Sequence, residues 1–210
     1  TDPQFYRASN TTRTTLVKWA VLFHDIGRPV APRSAGAGKS VHYCAHTATS
    51  AVMAKKICHR LRFSSRQANT IESIIRHHRQ PFYLFKAAQK KASIQKAFIR
   101  FFMRCGDTTP DILLHALAVF SGRRSTGHPE IQKFSDFVLG LMQTYTSVLR
   151  PRSSLPSPIN GDVLIAEFGL APSPLFQRIL RLVAEERLAR DVLTRSEAIK
   201  LVESLLKQQK

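Results

Sequence analysis

Apolar residues recur at helical spacing along almost the whole chain. Leu16, Trp19, Ala20 and Phe23 follow i, i+3, i+4, i+7 and predict a helix with one buried face. It runs into the adjacent pair His24-Asp25 before Gly27 and Pro29 stop it. Residues 31–40, rich in Gly, Ala, Pro and Ser, read as a loop. Further helices are predicted over residues 41–62, over 65–78 with Ser64 or Ser65 as cap, and over 91–105 with Gly106 just past the end. Thr109-Pro110-Asp111 opens another, and residues 129–149 make a long one. Phe82, Tyr83 and Phe85 follow Gln80-Pro81 and read as an aromatic plug beneath a loop, with base stacking as the alternative. Residues 151–158 hold three prolines and three serines and read as a linker. Beyond it come short helices over 162–168, 174–188 and 195–206, the last opened by a capping box from Thr194 to Glu197. Hardly any segment alternates as a strand would, so the expectation is an all-α chain: a helical domain over 1–150, a linker over 151–158 and a helical tail over 159–210.

Charge changes the picture. The 210 residues carry a formal charge of +18. Between Arg28 and Arg104, sixteen Lys and Arg stand against one acid, Glu72. Such a field attracts polyanions, with nucleic acid as the expected partner and a merely solvated basic surface as the alternative. An apolar fraction of 43% excludes a disordered chain. No apolar run approaches the roughly 18 residues of a membrane span, and no signal peptide is visible. Cys44, Cys58 and Cys105 are odd in number and lack a CxxC spacing, which points to buried thiols in a reducing, cytoplasmic compartment. The chain opens at Thr1, as a fragment of a longer protein would.

Two constellations could carry chemistry. An imidazole and a carboxylate side by side at the end of an apolar helix are costly unless a metal ion or a phosphate pairs with them. Ligands joining His24 and Asp25 must come from other helices, and His46 and His78 are the candidates. Neutral imidazoles with a carboxylate suit a divalent cation such as Mg, Mn, Fe, Ni or Zn. His46 or His78 taken alone is more readily a satisfied interfacial residue. The second constellation is basic. Lys96, Arg100 and Arg104 fall at i, i+4, i+8, with Lys86 and Lys90 before them and Ile94, Phe98, Phe101 and Phe102 on the opposite side. Each step of four residues rises about 6 Å, near the phosphate spacing of a single strand. Lys55, Lys56, Arg60 and Arg62 form another cluster, and Arg28 either contacts a phosphate or caps the helix end.

The order of these motifs carries a resemblance. His24-Asp25-Ile26-Gly27-Arg28-Pro29, then His46 to Ala51, then Arg60 to Ser64, then Ile75-Arg76-His77-His78 is similar to the HD region of bacterial tRNA nucleotidyltransferases and poly(A) polymerases. Ile159 to Ile165, Leu170 to Pro174 and Leu193 to Ala198 resemble their C-terminal segments. The resemblance implies an HD-superfamily helical domain followed by a helical tail, tRNA as partner, and a divalent metal at the HD site. It also implies departures. No histidine precedes the dyad, Thr47 stands where a glutamate is usual, and Val119 stands where the family has an aspartate ligand. Ser173 and Gln177 replace glycines of the tail. The family's nucleotidyl transfer belongs to an N-terminal head with a Gly-Ser motif and paired acids, which residues 1–210 lack. The expectation is therefore an RNA-binding body and tail with a degenerate HD metal site. An active metal-dependent phosphohydrolase is the alternative.

Overall fold

In the computed structural model, which describes residues 12–30, 42–91, 93–125, 127–190 and 193–207, Thr12 accepts the Thr15 amide and opens helix α1, Arg13–Phe23. Helices α2 (His42–Arg60), α3 (Ser65–His77), α4 (Gln80–Gln89), α5 (Gln95–Cys105), α6 (Thr109–Gly122) and α7 (Pro129–Thr144) follow. After them come α8 (Arg150–Ser154), α9 (Gly161–Phe168), α10 (Pro174–Ala189) and α11 (Arg195–Lys207). No strand occurs among the described residues, and the chain is all-α. Residue 41 and the 31–40 loop lie outside the described residues.

The chain forms two units, Thr1–Lys91 with Cys105–Met142, and Ala92–Arg104 with Gln143–Lys210. The first buries Leu16 and Ala20 of α1, Ala51, Ala54 and Cys58 of α2, Ile71, Ile74 and Ile75 of α3, and Ile112, Leu113 and Ala116 of α6. Small residues on α2 let α3 approach closely. Ser64 and Gln67 form a reciprocal capping box that starts α3. Arg13 reaches the buried Asp111 at 2.6 Å and the Asp107 carbonyl at 2.6 Å, which ties the start of α1 to the start of α6.

Residues 80–89 are a helix rather than a loop. Pro81 lies in its first turn, where a missing amide hydrogen costs nothing. Phe82 and Phe85 pack on Phe120 and Phe134, as an aromatic plug should, while Tyr83 is partly exposed.

In the second unit, Phe98, Phe101 and Phe102 are buried, and Phe102 meets Tyr145 edge to face. A π-turn over Tyr145–Leu149 precedes Pro151, whose ring cannot fit the regular ladder. The helix then resumes as α8, so the first half of the expected linker is helical. Helices α9 to α11 close on Ile159, Leu164, Ile179, Val183, Ala198 and Val202. Asn160 and Ser173 cap α9 and α10, Gly169 ends α9 in the left-handed region at φ 62°, and Thr194 and Glu197 cap α11 reciprocally.

Candidate functional site

The site grows from two helix ends. His24 is the C-cap of α1 and His78 the C-cap of α3. In each case Nδ1 donates to the carbonyl three residues earlier, Val21 at 2.8 Å and Ile75 at 2.7 Å. That bond leaves Nε2 as the acceptor or ligand atom. After His24 the chain turns tightly, Arg28 donating its amide to the Asp25 carbonyl at 3.0 Å. Gly27 then lies against α2. Its amide donates to Ser50 Oγ at 3.0 Å, and a Cβ there would stand 2.5 Å from the Ser50 nitrogen. Only glycine permits that approach, and the approach brings the dyad onto the turn of α2 that carries His46.

Asp25 stands at the centre. One carboxylate oxygen faces His46 Nε2 at 3.5 Å. The other lies 3.3 Å from His24 Nε2, from Arg28 Nη1 and from Arg123 Nη2. Asp25, His46 and His78 each present a ligand atom within 4.8 Å of the others. His24 stands beside that trio through its contact with Asp25 and packs edge to face on His78. Nε2 of His24 and Nε2 of His46 are buried without a hydrogen-bond partner. Two orphaned nitrogens aimed at a carboxylate are a donor set that fits a divalent cation.

A fourth imidazole joins them. His115 of α6 is fully buried, with its ring 5.3 Å from those of His24 and His78. The Ala20 carbonyl lies near this ring, but neither ring nitrogen reaches hydrogen-bonding geometry. Burial pushes His115 down to about 3 and His78 down to about 4, and the neighbouring imidazoles add to both shifts. Burial also lowers His46, with Asp25 opposing and Arg79 and Arg28 reinforcing. These rings are neutral at pH 7. Sequence reasoning singled out the α6 stretch for Val119 and passed over His115. The available signal was a lone polar residue inside the apolar run Leu113-Leu114-His115-Ala116-Leu117. Val119 is buried and lines a cavity of about 200 Å³ beside His78, together with Arg79, Phe82, Phe120, Arg123 and Arg124.

The basic candidates divide. Arg28 is half exposed and holds Asp25. Lys55 reaches Glu72 at 2.8 Å, and Arg76 holds the same carboxylate at 2.6 Å. Lys56, Arg60 and Arg62 are exposed at the end of α2, where Arg62 takes a left-handed conformation at φ 61° as the helix closes. Lys86 and Lys90 are exposed at the end of α4. Lys96 and Arg100 turn to α10, onto Glu186 at 3.3 Å and onto the buried Glu185 at 2.9 Å, whereas Arg104 is exposed. The like charges at i, i+4 on α5 are thus offset by carboxylates of the protein itself. No helix among the described residues is long and apolar enough to cross a membrane.

An HD domain is matched over residues 8–97. The chain is 26% identical over 184 residues to an A-adding tRNA nucleotidyltransferase of Deinococcus radiodurans, covering 87% of this chain and 40% of that protein. It is 27% identical over 179 residues to a CC-adding tRNA nucleotidyltransferase of Thermus thermophilus, covering 85% of this chain and 37% of that protein. The chain therefore spans well under half the length of either relative.

Proposed function

Starting from the premise that this chain carries the HD-domain body of the tRNA nucleotidyltransferase family, we propose that it grips RNA, tRNA foremost, through the basic surface of that body. Nucleotidyl transfer by such a protein would need a partner head domain with paired acidic ligands, a pattern that residues 1–210 lack. The division into a body over 1–150, a linker and a tail over 159–210 belongs to the same reading.

The supporting observation is where the acids go. Glu72, Asp111, Glu130, Glu167, Glu185 and Glu186 are each engaged by a lysine or arginine, and Asp25 is held by two. These seven carboxylates are neutralised by neighbouring cations of the chain itself. Lys56, Arg60, Arg62, Lys86, Lys90 and Arg104 stay exposed, and they are the cations a phosphate backbone would meet. Contacts of this kind read backbone and shape rather than sequence. Fluorescence anisotropy with tRNA tests the reading. Six phosphate contacts should lower the affinity by roughly three orders of magnitude between 50 and 200 mM salt. An affinity that ignores salt would overturn it.

A metal-dependent phosphohydrolase is the second reading, favoured by the orphaned His24 and His46 nitrogens. Asp25, His46 and His78 would hold the ion, with His24 beside them. A divalent cation, when bound, supplies Lewis acidity toward a phosphoryl oxygen. Two features weigh against hydrolysis and support a degenerate centre. Val119 offers no ligand where the family resemblance expects a carboxylate, and the guanidiniums of Arg28 and Arg123 already neutralise Asp25. Titration calorimetry with Mn²⁺, followed by turnover of a generic phosphodiester, separates the two readings. Turnover abolished by His46→Ala would establish the enzyme.

A further inference from the structure

We propose that the cleft lined by His78, Arg79, Val119, Phe120, Arg123 and Arg124 binds a phosphate monoester group directly through guanidinium, with no metal ion between them. The inference rests on the RNA reading above only for the source of that phosphate.

Three observations lead to it. The lining carries three guanidiniums and no carboxylate, around a cavity of about 200 Å³, several times the roughly 30 Å³ share of a water molecule. Two of the guanidiniums are fixed from behind. Arg123 is held by Asp25 at 3.3 Å. Arg124 donates to the Phe120 carbonyl at 3.3 Å and to Glu130 at 3.1 Å while lying 3.6 Å over the Phe120 ring. An arginine has five N–H donors, so each fork keeps donors for an anion after these bonds are made. Such forks are already ordered, and little side-chain entropy remains to be lost on binding. Finally, the apolar wall of Phe82, Val119 and Phe120 excludes water from one side, which strengthens charge-assisted hydrogen bonds on the other.

The same residues explain why an anion suits this place better than a cation. Among the described residues Asp25 is the one carboxylate in the neighbouring imidazole cluster, and it anchors Arg123 and Arg28 rather than facing the cleft alone. Val119 contributes no negative charge to the lining. His78, buried and bonded through Nδ1 to Ile75, offers a neutral polar floor. The charge pattern of a cation site is inverted at its rim.

Calorimetry of the full chain with inorganic phosphate in excess EDTA at low salt tests the proposal. Binding should survive EDTA. Arg123→Gln and Arg79→Gln should each weaken it at least tenfold, and Val119→Asp should weaken it further. Arg123 is half exposed, so its variant is expected to fold, and circular dichroism checks this. Loss of binding in EDTA, binding strengthened by Arg123→Gln as a freed Asp25 would give through a metal, or no phosphate binding at all would each overturn the proposal. RNA oligonucleotides ending in 3′-phosphate and 3′-hydroxyl identify the source. At least fivefold preference for the 3′-phosphate, abolished by Arg123→Gln, assigns an RNA end. Equal affinity for the two ends, with inorganic phosphate still bound, leaves the cleft in place as a small-phosphate site and removes its link to RNA.

Discussion

The imidazoles of His24 and His78 meet edge to face with ring centres 5.3 Å apart, each fixed by donation to a carbonyl three residues earlier. Two helices thus end on the same device, and in both rings the backbone bond occupies Nδ1 and leaves Nε2 for another partner. A bond of this kind sets tautomer and orientation before any ligand arrives. His115 completes the packing from α6.

Acid should dismantle this arrangement. His78 is pulled down to about 4 and His115 to about 3, chiefly by burial, from an ordinary value of 6.5. As pH falls below 6.5 the unfolded chain takes up protons that the folded chain refuses. Stability is therefore fully present above that pH and declines toward pH 4, by up to about 1.4 kcal/mol per pH unit for each histidine. Thermal unfolding between pH 7.5 and 4.5 should show a falling Tm, and His115→Leu should flatten the decline. A Tm equally pH-sensitive in both proteins would contradict the assignment to His115.

Gly27→Ala should cost about 2 kcal/mol, because the new methyl meets backbone rather than a movable side chain. It should also part Asp25 from His46. Ser50→Ala removes only the acceptor for the Gly27 amide and should cost about 1 kcal/mol. Urea denaturation of the two variants measures both, and equal stability of Gly27→Ala and the natural chain would refute the close approach.

Much of this was legible in the sequence. The dyad, His46 and His78 are recognisable by type and spacing, and most helices follow from a 3.6-residue rhythm with capping residues at their starts. What was not legible depends on tertiary partners. The α4 helix is short and opens on Gln80-Pro81, so its aromatic run carries no clear periodicity by itself. Residues 150–154 have a linker's composition yet are helical, because a π-turn before Pro151 absorbs its missing hydrogen bond. The spacing of Lys96 and Arg100 puts both on one face of α5, but the presence of Glu185 and Glu186 opposite them is a property of how α10 packs.

Arg13 and Asp111 offer a sharper electrostatic test. Burial raises the Asp111 carboxyl, and Arg13 holds it against that rise. Arg13→Ala leaves a buried carboxylate alone and should destabilise the protein by about 3 kcal/mol at pH 7. The folded-state pKa then moves further above its unfolded value. Stability lost at neutral pH should accordingly return in part as pH falls toward 5. Adding Asp111→Asn should remove that recovery, and a deficit in Arg13→Ala that does not change with pH would sink the explanation.

On the proposed RNA reading, reversal of Lys56, Arg60 and Arg62 to Glu should weaken tRNA binding and reduce the slope of log affinity against log salt by about one for each phosphate no longer neutralised. Lys96→Ala and Arg100→Ala should instead lower the Tm with little effect on that slope, since their side chains are committed to Glu186 and Glu185. Anisotropy and thermal melts on the same samples distinguish the outcomes. Matching slope changes in the two sets would show that Lys96 and Arg100 touch RNA as well.

Because His24 and His78 sit at the ends of α1 and α3, the groups that would meet a ligand belong to the backbone segments most prone to fray. A ligand held by both would act as a clasp on the two termini at once, slowing amide exchange along the last turns of two helices distant in the chain. Without such a bridge those turns would open independently. The same histidines would then report a bound ligand through the breathing of the scaffold that presents them.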